Sequence, residues 1–192
     1  LIQLASKVRV AGMLSGKPGL ITLHMGDDKR ALEPVFEALE RTSIPIKTFQ
    51  PTHVGRSAKL QDDAFRFAKM GGTIDITCGQ SESKFKAVAA SLKKAAEEQV
   101  PMEKITISSD GQGSWSNYDA DGKLTEMGVS DVDTIYRQIV YEVKNEKMPL
   151  AEALTFGTSN VAKALELYPK KGAVQEGSDG DLLLMNGDLT LD

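Results

Sequence analysis

Four short apolar runs, each followed by a helix-like stretch, limit what this chain can fold into. The runs are GLITLHMGD (19–27), IPIKTFQPTH (44–53), GTIDITCG (72–79) and KITISSDG (104–111). Each reads as a strand. The stretches after them repeat apolar residues at the three-to-four spacing of amphipathic helices. DKRALEPVFEALER (28–41) puts Leu32, Val35, Phe36 and Leu39 on one face, with Asp27 or Asp28 as N-cap. LQDDAFRFAKM (60–70) runs into Gly71 and Gly72, which suit a C-terminal cap. SKFKAVAASLKKAAEEQ (83–99) is expected to bury Phe85, Val88, Ala89 and Leu92. SDVDTIYRQIVYEVKN (130–145) is expected to bury Val132, Ile135, Tyr136, Ile139, Val140 and Val143. Strands alternating with helices predict the α/β class with a parallel sheet.

The spacing narrows the class. His24 and His53 end the first two runs and stand 29 residues apart. Asp110 ends the fourth run, at nearly twice that separation from His53. One βα unit of a (β/α)8 barrel takes about 30 residues, since eight fill about 250. His24, His53, the Thr77-Cys78-Gly79 end and Asp110 therefore fall at the C-terminal tips of four consecutive parallel strands. In a barrel that face carries the chemistry. Four strands make half a barrel. Beyond them, residues 149–167 predict two short helices, the second capped by Thr158 or Ser159. GDLLLMNGDLTLD (180–192) predicts a hairpin with Asn186-Gly187 as a type I′ turn. The expected organisation is residues 1–168 as barrel and 169–192 as the start of a small flanking β unit.

Composition excludes several partners. Apolar residues are 41% and charged residues 26%, a soluble balance. A net charge of −4 and a pI near 5.3 argue against nucleic acid and anionic membrane surfaces. No apolar run approaches the roughly 20 residues of a membrane span. LIQLASKVRV is not built like a signal peptide and lacks a starting methionine, so the chain is expected to be a piece of a longer one. The single cysteine, Cys78, excludes an internal disulfide and points to a reducing compartment, the cytoplasm.

The two histidines both end an apolar strand, one βα unit apart. A lone histidine is more often packed or solvated than a ligand. Two at equivalent tips, with Asp110 at a third, form a candidate zinc site, since imidazole and carboxylate suit that ion. Arg56, just past His53, is either a solvated loop residue or a bidentate clamp for a substrate carboxylate. Ser114 either satisfies a turn or binds a polar group of a substrate. Asn117, Asp119, Asp121 and Gly122 imitate the start of a calcium loop, but Gly128 stands where the closing glutamate is required. A tight turn is expected there. Cys78 is expected to pack, and LSGKPG (14–19) to form a turn, because it lacks phosphate-loop spacing.

SGKPGLITLHMGD, PTHVGR, GGTIDIT, SSDGQGS and DADGKLTEMGV together resemble the isoaspartyl dipeptidases (β-aspartyl peptidases) of the amidohydrolase superfamily. TSNVAKALEL and KKGAVQEGSDGDLLLM are similar to the superfamily's general C-terminal pattern. The resemblance implies the C-terminal half, strands 5–8, of a metal-dependent (β/α)8 TIM-type barrel plus part of a small β domain. It implies two Zn²⁺ ions per complete active site. By residue match, His24 and His53 would hold the more exposed ion and Asp110 the other. Asp110 would also act as general base and then general acid. Arg56 would grip a substrate carboxylate, and Ser114 would contact the substrate. The implied substrate is an isoaspartyl dipeptide, cleaved between the side-chain carboxyl and the next residue.

The family also uses a His-x-His pair after its first strand and a carboxylated lysine after its fourth. Neither is found in these residues. Three ligands divided between two ions predict a chain that is zinc-depleted and inactive alone. Open sheet edges predict association into a homo-oligomer. Two other functions fit the same residues. One is an amidohydrolase acting on cyclic amides or amino-acid derivatives, which has no use for the Arg56 clamp. The other is a non-catalytic α/β scaffold, in which His24, His53 and Asp110 do not converge.

Overall fold

Backbone pairing trims the four apolar runs to four-residue strands. In the computed structural model, which describes residues 1–191, these are β1 (Ile21–His24), β2 (Phe49–Thr52), β3 (Ile74–Thr77) and β4 (Ile105–Ser108). β1 and β2 run parallel with His24 opposite Thr52; β3 and β4 run parallel with Thr77 opposite Ser108. The two pairs meet where the Val54 N–H donates to the Asp75 carbonyl (3.4 Å) and the Thr52 hydroxyl to the Asp75 carboxylate (2.6 Å). Strand order thus follows chain order, as consecutive βα units require. The connecting helices are α2 (Glu33–Arg41), α3 (Ala58–Lys69) and α4 (Glu82–Glu97), preceded by α1 (Ile2–Ser15).

Side-chain alternation divides the parallel strands into two faces. Ile21, Phe49, Ile74, Ile76, Ile105 and Ile107 join one buried core with Val35, Leu60, Phe65, Phe67, Val88 and Leu92 of the helices. Full burial of each such side chain stabilises by about 1.5–3 kcal/mol. The intervening residues, among them Thr22, Gln50, Asp75 and Thr106, line a cavity of about 300 Å³ on the other face. α7 (Ser159–Ala164) follows α6 (Leu150–Thr155) and closes part of that cavity with Val161 and Ala164. The Ile107 N–H donates to the Phe156 carbonyl (3.1 Å), so the link between α6 and α7 covers part of the outer edge of β4.

Several boundaries differ from the sequence expectation. α2 starts at Glu33 with Pro34 in its first turn, and neither Asp27 nor Asp28 caps it. Asp28 instead accepts from the Arg30 N–H (2.8 Å), and Ala31 at φ 45° breaks the path into the helix. α3 starts earlier, at Ala58, because the Ser57 hydroxyl accepts from the Leu60 N–H (3.3 Å). Its far end passes through Met70 to Gly71 at φ 98°, as the glycines suggest. α5 (Thr134–Lys144) leaves Val132 outside the helix and 65% exposed. Its buried residues include Gln138 and Glu142, which an apolar stripe does not anticipate.

The expected turn near Asp119 lies at the tip of an antiparallel hairpin, β5 (Ser114–Tyr118) and β6 (Leu124–Val129). The Asp119 carboxylate accepts from the Asp121 and Lys123 N–H groups, which occupies it as a turn residue. In the tail, Met185 and Leu191 form an isolated antiparallel bridge in place of two strands. The Leu189 N–H donates to the Asn186 carbonyl (2.9 Å), and the left-handed residue is Leu189 (φ 67°). A type I′ turn needs positive φ at both central residues; Asn186 and Gly187 have none, so the turn centres one residue later. Asp192, the last residue of the expected hairpin, lies outside the described residues.

Candidate metal centre

The strand tips bring three ligand-type side chains together. His24 ends β1, His53 follows β2 directly, and Asp110 stands two residues past β4. His53 (φ 63°) and Asp110 (φ 51°) both take the left-handed backbone. Histidine and aspartate enter that region more readily than other non-glycine residues. Such a conformation costs on the order of 1 kcal/mol or more, and is held only where the surroundings determine it. One ligand atom from each of the three lies within 4.8 Å of the others. The scaffold alternative, which needs them apart, fails on this point.

His24 Nδ1 lies 3.0 Å from His53 Nε2. Two nitrogens on one tetrahedral zinc, at Zn–N of about 2.05 Å, are about 3.3 Å apart. The imidazole pair therefore fits one such ion with little movement, and the carboxylate of Asp110 adds an oxygen donor beside it that suits the same kind of ion. Only 7% of His53 is exposed, and its Nδ1 lies 2.6 Å from the Thr77 hydroxyl. Burial, and after it the Arg56 guanidinium, hold the His53 pKa below its ordinary value, although Asp110 and Asp75 oppose this. The neutral form is the one that can ligate a cation.

The glycine-rich turn after β4 has a packing reason. The Gly113 N–H donates to the Asp110 carbonyl (2.8 Å). A Cβ on Gly113 would stand 2.7 Å from that carbonyl oxygen and 2.8 Å from Oδ1 of the same residue. Only glycine lets the turn fold back so closely on the carboxylate.

Arg56 is exposed in the loop beyond His53, tied by its backbone N–H to the His53 carbonyl (3.2 Å). Among the described residues its guanidinium has no ion pair. Ser114 opens β5 opposite Val129; it is exposed and lies outside the cavity lining. Cys78, at the β3 tip, is buried, and desolvation pushes its thiol up to about 12. It packs, and carries no thiolate chemistry near neutral pH.

Asp75 was not among the sequence candidates. It sits mid-strand on the polar face, where the Thr52 and Ser108 hydroxyls both donate to Oδ2 (2.6 Å each) and the Thr106 hydroxyl to Oδ1 (2.9 Å). Burial raises its pKa against the pull of these three bonds. The signal was legible: a strand buried on both faces reads as continuously apolar, whereas ITLH, FQPT, IDIT and ITIS alternate.

Parallel βα units that bring two imidazoles and a carboxylate together at their tips define an α/β fold with a candidate metal site. The family model described as "Amidohydrolase family" matches residues 30–192, and the chain belongs to that family. The β-aspartyl dipeptidase of Fervidobacterium islandicum AW-1, solved with a β-Asp-Leu dipeptide, is similar at 36% identity and a TM-score of 0.87. The match covers 97% of this chain and 48% of that one. A second structure of that dipeptidase is 36% identical with a TM-score of 0.82, over 97% of this chain and 46% of its own. N-acetylglucosamine-6-phosphate deacetylase from Pasteurella multocida shares the fold at 14% identity and a TM-score of 0.52, over 88% and 53% of the two chains. The chain thus spans about half the length of the dipeptidase it resembles. Among the described residues no helix is long and apolar enough to cross a membrane.

Proposed function

We propose that this chain is the C-terminal half (strands 5–8) of a zinc-dependent hydrolase of β-aspartyl dipeptides. The observation that carries the proposal is the convergence of His24, His53 and Asp110 within 4.8 Å at the strand tips. Similarity to the β-aspartyl dipeptidase supports the substrate. Divalent cations, when bound, ionise a water near neutral pH and polarise the scissile carbonyl. His24 and His53 would hold one ion through Nδ1 and Nε2, and Asp110 would hold the other. Asp110 takes the proton of the attacking water and returns it to the leaving amine, as base and then acid. Arg56, whose guanidinium has no ion pair among the described residues, follows His53 by one turn and binds the substrate carboxylate through paired N–H donors. Ser114 approaches the substrate from the hairpin side. That free cation favours a charged dipeptide over a cyclic amide, which would leave it unused.

The domain division at residue 168 and the flanking β unit at 169–192 belong to the same proposal. So do a cytoplasmic location, supported by the lone cysteine, and self-association through β1, which among the described residues pairs only with β2. With three ligands shared between two ions, these 192 residues are expected to hold zinc poorly and to be inactive alone. The test is hydrolysis of β-Asp-Leu against α-Asp-Leu by the full-length protein with added Zn²⁺. Cleavage of the β-linked peptide alone, lost on chelation and lowered about 10²–10⁴-fold by Asp110→Asn, is expected. Equal cleavage with and without chelator, or no cleavage by the full-length metal-loaded protein, would refute it.

A further inference from the structure

We propose that Asp75, acting through Thr52 and Thr77, fixes the ring proton of His53 on Nδ1 and thereby presents Nε2 as the cation-binding lone pair. This rests on the reading above that His53 is a ligand; the relay itself is built from hydrogen bonds.

While Asp75 is ionised, a state its three hydroxyl donors favour and burial opposes, its carboxylate only accepts, and each hydroxyl has one proton to give. The Thr52 hydroxyl spends its proton on Asp75 Oδ2, 2.6 Å away. Toward Thr77, whose hydroxyl oxygen lies 3.4 Å off in a long contact, Thr52 therefore offers a lone pair that the Thr77 proton can take. With its proton so directed, Thr77 can only accept from His53 Nδ1 at 2.6 Å. His53 Nδ1 then carries the hydrogen, and Nε2 is bare. It faces His24 Nδ1 at 3.0 Å, on the side where Asp110 also converges.

Asp75 is suited to start this chain because its own position is fixed. Ser108 and Thr106 on β4 and Thr52 on β2 all donate to it, so the strands on both sides of β3 hold one carboxylate. Either hydroxyl of the relay could point the other way in isolation; the carboxylate breaks the tie. Metal-binding histidines commonly have their second nitrogen held by an outer partner, and loss of that partner weakens metal binding about 10–100-fold. Here the partner is a threonine whose direction is set two bonds further back. Asp75 is thus a positioning residue and touches no substrate.

The experiment is long-range ¹H–¹⁵N NMR of the His24 and His53 imidazoles in the metal-free full-length protein at pH 8, assigned with His53→Ala. The wild-type chain should show His53 protonated at Nδ1 with a bare Nε2. Thr77→Val and Thr52→Val should give mixed tautomers, and Asp75→Asn, whose amide donates toward the hydroxyls, should move the proton toward Nε2. Thr77→Ser should restore the wild-type spectrum. Zn²⁺ affinity of the full-length protein, read by competition with a chromophoric chelator, should fall about 10–100-fold in Thr77→Val but not in Thr77→Ser. A His53 proton on Nε2 in the wild-type chain, or an unchanged tautomer in both valine variants, would overturn the relay. If Asp75→Asn does not fold, the two valine variants, which leave the carboxylate in place, still decide. Failure of dipeptide hydrolysis with a correct tautomer would sink the proposed function and leave the relay standing.

Discussion

Replacing Glu142 by glutamine should stabilise this protein, and only at higher pH. Glu142 lies on α5 with 2% of its surface exposed. Its Oε1 accepts from Gln138 Nε2 (2.7 Å), which also donates to the Phe85 carbonyl (3.1 Å). Among the described residues, Gln138 Oε1 is buried without a partner. Desolvation raises the Glu142 carboxyl from 4.5 to about 7; the Gln138 bond opposes this and Glu146 adds to it. Between pH 4.5 and about 7 the folded state keeps a proton that the unfolded chain has released. Linkage then makes the fold most stable, for this group, below the unfolded pKa, with stability falling as pH rises through the window. At about 1.4 kcal/mol per pH unit, the cost approaches about 3 kcal/mol above pH 7. Water relaxing around the charge makes that an upper limit. Glu142→Gln removes the charge and brings an amide donor that can reach the orphaned Gln138 oxygen. Urea unfolding followed by far-ultraviolet circular dichroism should show a gain of about 1–3 kcal/mol at pH 8, shrinking to near zero at pH 4.5. A gain of equal size at both pH values, or a loss at pH 8, would refute the reasoning.

Three other changes have defined outcomes. Arg56→Ala should raise KM for β-Asp-Leu in the full-length protein about 10–100-fold with kcat within a few fold, and Arg56→Lys should not restore it, because lysine lacks the planar pair of donors. Gly113→Ala forces a Cβ to within 2.8 Å of the Asp110 carboxylate, so Zn²⁺ affinity should drop at least tenfold while steady-state kinetics of any remaining holoenzyme change less. Cys78 should resist thiol reagents in the folded protein at pH 8 and react only as fast as the chain opens, since it is 5% exposed and titrates near 12.

Much of the site could be read before the fold, because barrel chemistry concentrates at strand tips and the βα period says where tips fall. His24, His53 and Asp110 were found that way. Asp75 lies mid-strand, one pleat inside the tip, and Thr77 ends β3 with a hydroxyl and no ligand-type group, so neither stands out at a run end. α1 is illegible in the sequence for a different reason. It buries only Ala5 and Gly12, and leaves Leu4, Val10, Met13 and Leu14 exposed, so no apolar stripe marks it. β5 and β6 are largely exposed on both faces, and a two-stranded hairpin without a buried side has no alternation to detect. The start of α2 was misplaced because Asp28 has the chemistry of a cap but uses it in a tighter local turn. In α5 the three-to-four spacing located the helix, but Gln138 and Glu142 are buried because each offers the other a partner.

The pleat of the four parallel strands also guards their own pairing. Sliding any one of them by a single residue would exchange its two faces. On β3 that error would drive a carboxylate among the phenylalanines and turn two isoleucines toward the polar cavity. Both losses arise at once, so a misaligned strand has no half-acceptable resting place, and the hydroxyls that organise the ligands also proofread the assembly of the sheet.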